Sequence, residues 1–296
     1  MEKKKMLFIY NPKAGKERIR SNLIDIIDIF ARGGYEITVY PTKERGDGTV
    51  AVMEHDDSYD IITCCGGDGT LDEIVSGMWK SKRKTPIGYV PAGSTNDFAV
   101  SLDIPSQMHE AAKTIVNGKE YPCDIGIMND ETFVYIAAFG LFTDVSYQTR
   151  QDIKNILGHM AYILEGAKRL SEIRSYHMKV TTDEGVIEDD FVFGMVTNSR
   201  SVGGFKDITG KNVTMDDGVF EVTLVKLPDN MLDMSNLLAA FINRDIDTEL
   251  MYCFKTKHIE FDSKESISWT RDGEFGGNHT HVDIRNENKV ISIMVP

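Results

Sequence analysis

The sequence predicts a two-domain protein, with an α/β domain over residues 1–125 and a β-rich domain over residues 126–296. In the first part, short apolar runs alternate with segments of helical periodicity, which is typical of a mainly parallel sheet with helices on both faces. The second part consists mostly of alternating or β-branched segments between Gly, Asp and Asn turns, which indicates an antiparallel β-sandwich. A length of 296 residues fits two domains of ordinary size.

Strands and helices alternate along the first domain. The predicted strands are Met6–Tyr10, Glu36–Tyr40, Asp60–Cys65, Ile87–Val90 and Tyr121–Ile127, and the predicted helices are Arg18–Ala31, Thr70–Trp79 and Met108–Val116. In a parallel α/β sheet, ligands bind in the loops that follow the carboxyl ends of the strands. A ligand site is therefore expected in the loops after Tyr10, Tyr40, Cys65 and Val90.

Most of the second domain is predicted to be strand. A long helix over Asp152–Leu170 carries aliphatic side chains at helical spacing, and a shorter helix is predicted near Leu232–Phe241. The predicted strands are Tyr176–Thr181, Phe191–Thr197, Val219–Val225, Ile259–Phe261, Ile267–Trp269 and Val290–Met294. The last of these strands could pack back on the first domain.

Composition and charge limit the class of protein. The chain is 41% hydrophobic and 27% charged, as in ordinary globular proteins, and its formal net charge is −13. This charge repels nucleic acid and anionic membranes, so any membrane contact is expected to be local. The longest apolar stretch, Phe133 to Phe142, has about half the length needed to span a bilayer. With no recognisable signal-peptide region and no metal-type cysteine spacing, we expect a cytoplasmic protein.

The strongest motif is Gly66-Gly67-Asp68-Gly69-Thr70, which lies between a predicted strand and a predicted helix. Glycines let the backbone approach a polyphosphate, and the amides at a helix N-terminus attract anions. The Asp68 carboxylate would repel phosphates unless a divalent cation lay between them, so the motif indicates polyphosphate binding together with Mg²⁺. The alternative interpretation is a Gly-rich turn in which Asp68 is only the helix N-cap.

Two further loops carry features of phosphate binding. The loop Asn11-Pro12-Lys13-Ala14-Gly15-Lys16 offers backbone amides and two lysines, without the pattern of a Walker loop. The loop Pro91-Ala92-Gly93-Ser94-Thr95-Asn96-Asp97 offers a Gly turn, two hydroxyls and an amide–carboxylate pair. Three such loops at one sheet edge favour a polyphosphate site over three unrelated turns.

In their order and spacing, these motifs resemble the bacterial diacylglycerol kinases and related lipid kinases, whose nucleotide domain is shared with sphingosine kinases and NAD kinases. The segments NPKAG, GGDGT and PAGSTNDFA carry the resemblance, which covers essentially the whole chain. The remaining family motifs match Cys123-Asp124-Ile125-Gly126, Asp217-Gly218 and Asp272-Gly273-Glu274. The resemblance implies an NAD-kinase-like first domain and an enzyme that uses ATP and Mg²⁺ to phosphorylate the hydroxyl of a diacylglycerol-like lipid.

The resemblance also implies which residues bind the nucleotide and the metal ions. The nucleotide-binding residues would be Asn11, Pro12, Lys13, Ala14, Gly15, Thr42, Gly66, Gly67, Asp68, Gly69, Thr70, Leu71, Asp72 and Ser94. Asn96 and Asp97, in the same loop as Ser94, are further candidates. A structural Mg²⁺ would be held by the Asp217 carboxylate and by main-chain oxygens of Thr214 and Val219. Asp68, Asp97 and Asp124 are candidates to hold the catalytic Mg²⁺ through water, and the sequence does not rank them.

The predicted catalytic residues are Glu274, Asp272 and Asp68. Without the resemblance, Asp272-Gly273-Glu274 would be interpreted as an acidic hairpin turn. With it, Glu274 is the base near the attacking hydroxyl, and Asp272 is its orienting or metal-facing neighbour. Two positions depart from the family pattern. Many relatives have Thr where this chain has Ser94, and Ser94 keeps the hydroxyl. Many relatives have Asn where this chain has Asp72, and the negative charge of Asp72 argues against a direct contact of its side chain with phosphate.

Two other functions stay open on the sequence alone. An NAD kinase would share GGDGT and the two-domain plan, although the loop at Ser94 and the motif ending in Glu274 fit lipid kinases better. A nucleotide-sensing protein without kinase activity would keep the binding loops, although the intact carboxylates argue against it.

The sequence specifies neither the acceptor lipid nor the oligomeric state, with a homodimer as one option. We expect peripheral, transient contact with a membrane surface. His279 and His281 lack a third ligand and are interpreted as structural.

Overall fold

The structure is a computed structural model of the chain, and it describes residues 3–17, 19–55, 58–140, 174–202, 205–206, 213–243 and 249–296. The helix predicted at Asp152–Leu170 lies outside the described residues. The chain divides into two compact units. The first consists of Met1–Ile125 and Glu287–Pro296, and the second of Gly126–Asn286. Among the described helices, none is long and apolar enough to cross a membrane.

Strands and helices alternate in the first unit. Its strands are β1 (Lys4–Tyr10), β2 (Tyr35–Pro41), β3 (Ile61–Gly66) and β4 (Ile87–Pro91), with the first part of β5 (Lys119–Met128) and the last part of β15 (Glu274–Val295). Its helices are α1 (Ile19–Arg32), α2 (Asp47–Glu54), α3 (Asp68–Ser81), α4 (Asp97–Ser101) and α5 (Met108–Asn117). A 3₁₀ turn covers Ala14–Glu17.

The central strands of this unit pair in parallel. β1 lies between β2 and β3, β3 pairs with β4, and β4 pairs with the end of β15 at Ile293. In this register Tyr10 is opposite Cys65, and Cys65 is opposite Val90. The carboxyl ends of β1, β3 and β4 therefore lie side by side, and the loops that follow them leave from one edge of the sheet.

Apolar side chains on both faces of β1 are covered. Met6, Leu7, Phe8 and Ile9 are completely buried, as expected for a strand with no solvated face. The Phe8 ring meets the Phe30 ring of α1 edge-on, with 5.5 Å between the ring centroids. Burial of these side chains stabilises the sheet by roughly 2 kcal/mol for each large residue.

The second unit is rich in antiparallel strands. Its strands are β6 (Glu131–Phe133), β7 (Ile136–Gly140), β8 (Tyr176–Thr182), β9 (Gly185–Thr197), β10 (Ser201–Val202), β11 (Phe205–Lys206), β12 (Phe220–Lys226), β13 (Met251–Thr256), β14 (His258–Arg271) and the first part of β15, and its described helix is α6 (Met231–Asn243). The long strands β9 and β14 each change partner along their length, from β8 to β7. The four strands β8, β9, β7 and β14 therefore form a closed ring of pairings, because β14 pairs with β8 as well as with β7.

Aromatic rings form the core of the second unit. The Trp269 ring centroid lies 4.9 Å from that of Phe139 and 5.0 Å from that of Phe261. Gly126 and Gly194 leave the space that two rings occupy, since a Cβ at either position would overlap the ring of Phe133 or Phe139. This packing fixes β14, which leads into the turn at Asp272, together with its neighbouring strand β7.

Candidate active site

Asp68 is the first residue of α3, directly after the end of β3. The N-cap position belongs to Gly67, and no side chain caps this helix end. The interpretation of Asp68 as a simple N-cap is therefore wrong. Its carboxylate faces the loop after β4, where the main-chain N–H of Asp97 donates to Oδ2 over 3.3 Å. On the other side, the Tyr89 hydroxyl lies 3.4 Å from Oδ1.

The surroundings of Asp68 oppose its negative charge. Burial, and after it the charge of Asp97, raises the pKa of Asp68 to about 7, while hydrogen bonds from the amides of Asp97 and Phe98 and from the Tyr89 hydroxyl act in the opposite direction. Asp97 itself is 1% exposed. A half-buried carboxylate beside a fully buried one is stabilised by either a shared proton or a cation. Their placement therefore fits a bound metal ion.

Glycines bring the loops after β3 and β4 into contact. The Ala92 N–H donates to the Gly66 carbonyl over 2.7 Å, and a Cβ at Gly93 would lie only 2.8 Å from the Cα of Gly67. The Asn96 side chain closes the second of these loops, because its Oδ1 accepts from the Gly93 N–H at 2.9 Å and its Nδ2 donates to the Gly93 carbonyl at 3.1 Å. Asn96 therefore shapes the loop.

Asn11 connects the loop after β1 to the end of β3 and the first turn of α3. Its Nδ2 lies 3.4 Å from the Thr70 hydroxyl, and its main-chain N–H donates to the Cys65 carbonyl over 2.9 Å. Its Oδ1 accepts a 2.9 Å hydrogen bond from the N–H of Lys13, whose side chain is exposed. The three loops singled out in the sequence are thus adjacent at one sheet edge of the first unit.

The remaining predicted nucleotide contacts differ in exposure. Ser94 is exposed, whereas Pro12, Gly15, Gly69 and Asp72 are half-buried and Ala14 is buried. Leu71 is completely buried, so only its main chain could reach a ligand. Thr42 follows β2, and its N–H donates to the Tyr10 carbonyl over 2.9 Å. This bond places Thr42 beside the loop after β1.

Glu73 is a residue of this region that the sequence did not indicate. Its carboxylate accepts hydrogen bonds from the N–H groups of Gly46 and Gly48, at 2.9 and 3.0 Å, and its carbonyl accepts from the Thr49 hydroxyl at 2.8 Å. These bonds fasten the start of α2, and with it the segment that follows Thr42, to α3. Gly46 and Gly48 are the available sequence signal for a close contact of the main chain here. Their spacing does not identify the partner, because Glu73 lies on another helix.

Asp124 lies on β5 and is completely buried. Its Oδ1 accepts hydrogen bonds from the Asn288 side chain at 2.9 Å and from the Lys289 N–H at 2.7 Å. Both donors belong to β15. Asp124 therefore ties β5 to β15 within the first unit.

In the second unit, Asp272 is held by main-chain amides. It is 6% exposed, and its carboxylate accepts from the N–H groups of Val134, Tyr135 and Ile136 at 2.6, 3.0 and 3.0 Å. Its own N–H donates to the Ile136 carbonyl over 2.9 Å. Since both carboxylate oxygens accept these bonds, the arrangement favours the orienting role of Asp272 over the metal-facing one.

Glu274 directly follows the turn between β14 and β15 and is exposed. Arg271 pairs with Glu274, so Asp272 and Gly273 form a two-residue turn, with φ values of 49° and 78°. Positive φ at both positions is the type I′ geometry of tight hairpins. The hairpin turn and the family motif are thus the same feature. Next to Glu274, Phe275 exposes 51% of its surface.

Asp217 takes part in a separate charge cluster of the second unit. Its Oδ1 accepts from the Val219 N–H at 3.3 Å, and the Lys255 ammonium lies 3.3 Å from its Oδ2 and 2.9 Å from Oε1 of Glu221. Glu221 is 4% exposed, and its Oε2 is buried without a hydrogen-bond partner in the described part of the chain. Thr214 is exposed. The buried Glu221 oxygen that lacks a partner beside Asp217 is the one observation here that is compatible with a further hard cation such as Mg²⁺.

Comparison with known proteins places these motifs in a family. A family model described as the diacylglycerol kinase catalytic domain matches residues 5–128, and one described as the YegS C-terminal NAD kinase beta sandwich-like domain matches residues 138–294. The diacylglycerol kinase of Bacillus subtilis (strain 168) is 31% identical over 276 residues, which cover 93% of this chain and 91% of the relative. The chain belongs to the diacylglycerol kinase family. The family predicted from the sequence is thereby confirmed.

Other members of the diacylglycerol kinase family match over similar lengths. The diacylglycerol kinase of Staphylococcus aureus (strain MRSA252) is 30% identical over 301 residues, covering 98% of this chain and 95% of the relative. A crystal structure of a diacylglycerol kinase from Bacillus anthracis str. Sterne superposes with a TM-score of 0.78 at 25% identity, covering 100% of this chain and 98% of that chain. The prediction of an enzyme of the lipid kinase class is confirmed.

Proposed function

We propose that this chain transfers the γ-phosphoryl group of ATP to the hydroxyl of a diacylglycerol-like lipid, in a reaction that requires Mg²⁺. The observation that carries the proposal is the placement of Asp68 at the N-terminus of α3, beside the buried carboxylate of Asp97 and among three glycine-containing loops. Amides at a helix start attract phosphate, whereas a carboxylate pair attracts a cation. A site with both features suits a nucleotide triphosphate with its metal ion.

In this proposal the nucleotide phosphates lie against the loops of the first unit. The amides of Gly66 to Asp72 and the loop from Asn11 to Gly15 would bind them, with Lys13 as an exposed positive charge and Ser94 as a hydroxyl donor. Thr42 would contact the nucleotide from the loop that Glu73 holds. An α/β fold of the NAD-kinase type, with ligand-binding loops at the strand ends, is consistent with this assignment.

Asp68 and Asp97 would hold the catalytic Mg²⁺, directly or through water, and Asp124 is a third candidate. When bound, the ion would neutralise charge on the phosphoryl oxygens. Asp217, with main-chain oxygens of Thr214 and Val219, would hold a second, structural Mg²⁺. We assign that site to stability because its residues belong to the cluster around Lys255 rather than to the phosphate loops.

Glu274 would act on the acceptor. Its carboxylate takes the proton of the lipid hydroxyl while the hydroxyl oxygen forms a bond to the γ-phosphorus, and the bond from that phosphorus to the bridging oxygen of ADP breaks. Asp272 would orient Glu274 through the turn that the three amides hold. The exposed ring of Phe275 beside Glu274 offers an apolar contact to an acyl chain.

The proposal is tested by incubating the purified protein with ATP labelled at the γ-position and, in parallel, with diacylglycerol, monoacylglycerol, phosphatidylglycerol, sphingosine, undecaprenol or NAD⁺. We expect label in a lipid only, and only with Mg²⁺. Asp68→Asn should remain folded and lose most of kcat. Label in NAD⁺, or a well-folded Asp68→Asn variant with near-normal kcat, would contradict the proposal.

A further inference from the structure

A histidine and two carboxylates converge on one sheet face of the second unit, and none of them belongs to the predicted active site. His258 and Glu260 are two residues apart on β14 and therefore point to the same face. Asp283 on β15 lies directly opposite Glu260. One ligand atom from each side chain lies within 4.8 Å of the other two, and all three residues are half-buried.

We propose that His258, Glu260 and Asp283 bind a divalent transition-metal ion of the Zn²⁺ class. One imidazole nitrogen with two carboxylate oxygens is a mixed donor set that suits Zn²⁺, Co²⁺ or Mn²⁺, whereas Mg²⁺ and Ca²⁺ prefer oxygen ligands alone. Three protein ligands also leave a position for water, as in open zinc sites.

The strand register supplies an electrostatic reason for a cation at this place. Like charges directly opposite each other on antiparallel strands destabilise a sheet, and Glu260 and Asp283 form such a pair. The His258 ring closely contacts only one of them, since its Nε2 is 2.7 Å from Oδ2 of Asp283 but 3.8 Å from Oε1 of Glu260. A metal ion coordinated by all three side chains would compensate both carboxylates.

The nearby Arg285 side chain leaves Oδ2 of Asp283, the oxygen that lies next to His258, accessible to a metal ion. Its Nη1 lies 3.5 Å from Oδ1 of Asp283, the oxygen that does not meet His258, and its Nη2 lies 3.3 Å from Asp130. The guanidinium and a metal ion can therefore each take a different oxygen of Asp283. Such an outer hydrogen bond to a ligating carboxylate is common at metal sites and fixes the orientation of the ligand.

The same two strands carry a matched control. His281 and Asp262 are directly opposite each other, and Nδ1 of His281 lies 2.8 Å from Oδ1 of Asp262. This pair has the chemistry of the His258 pair but no third ligand, because the described part of the chain contains one group of three convergent ligands and His281 is outside it. His281→Gln therefore removes an equivalent ion pair without touching the proposed site.

The experiment is a Co²⁺ titration of the metal-free, full-length protein in excess Mg²⁺, which saturates sites made of oxygen ligands. Visible absorption of protein-bound Co²⁺ reports the site. We expect wild type and His281→Gln to bind one more equivalent than His258→Gln, whose affinity at this site should be at least about tenfold lower. Zn²⁺ should displace this Co²⁺ and raise the Tm of wild type and His281→Gln but not that of His258→Gln.

Glu260→Gln keeps the test decisive if His258→Gln folds poorly by circular dichroism. This variant removes the carboxylate with the longer contact, and we expect the same weakening of Co²⁺ binding. The proposal is overturned if wild type binds no more Co²⁺ than the site variants, or if His258→Gln and His281→Gln lose the same amount.

Discussion

The carboxylate of Asp272 should matter for both stability and turnover. It accepts three main-chain hydrogen bonds at 2.6, 3.0 and 3.0 Å in a buried position, and hydrogen bonds to a charged group are each worth about 1.5–3 kcal/mol. In Asp272→Asn, a single carbonyl oxygen remains, and the new NH₂ group faces an N–H donor. We therefore expect the free energy of unfolding to fall by about 2–4 kcal/mol, measured by urea denaturation.

The kinetic part of this prediction separates orientation from direct catalysis. If Asp272 acts by holding the turn that carries Glu274, Asp272→Asn lowers kcat, and adding it to Glu274→Gln produces little further loss. Glu274→Gln alone serves as the control for stability, because Glu274 is exposed and its replacement should leave the unfolding free energy nearly unchanged. Wild-type stability in Asp272→Asn, or kcat losses that multiply in the double variant, would refute this reasoning.

Three further perturbations follow from the contacts of other carboxylates. Glu73→Gln should raise the KM for ATP with little change in kcat, because it weakens the bonds that hold the start of α2, the segment that follows Thr42. Steady-state kinetics that show an unchanged KM would count against this role. Asp217→Ala should lower the Tm and abolish its dependence on Mg²⁺, and a Tm unaffected by both mutation and chelator would exclude the structural ion. The raised pKa of Asp68, about 7, means that without metal its contribution to stability is present at low pH and is lost as pH rises from about 4 to 7. In chelator at pH 8, Asp68→Asn should thus have a higher Tm than wild type, and a lower Tm would contradict the assignment.

The phosphate-binding edge could be predicted because its signals are local. β1 and β3 are runs of apolar residues, each followed at once by a glycine-containing loop, and the observed strands Lys4–Tyr10 and Ile61–Gly66 end where those loops begin. Short helices gave weaker signals. α2 (Asp47–Glu54) and α4 (Asp97–Ser101) have no counterpart in the predicted elements, since they are held by partners elsewhere in the chain, such as Glu73.

Other features depend on contacts that sequence spacing does not reveal. β14 was predicted as two strands because Asp262 to Ser266 interrupts the apolar alternation, whereas the chain continues as one strand with a register shift. The amides that hold Asp272 are remote in the sequence, since Val134 and Asp272 are separated by 138 positions. The cluster around His258 likewise forms only when β14 pairs with β15, so the spacing of the histidines in the sequence does not indicate it.

The measurement that tests the central claim most directly is kcat for phosphoryl transfer from ATP to diacylglycerol by Glu274→Gln, with ATP affinity measured separately by equilibrium binding. A positioned base contributes a factor of about 10²–10⁴ to the rate. We predict a fall in kcat of that size with ATP affinity nearly unchanged. Weakened ATP binding with kcat intact would contradict the account, because Glu274 would then contact the nucleotide instead of the lipid hydroxyl.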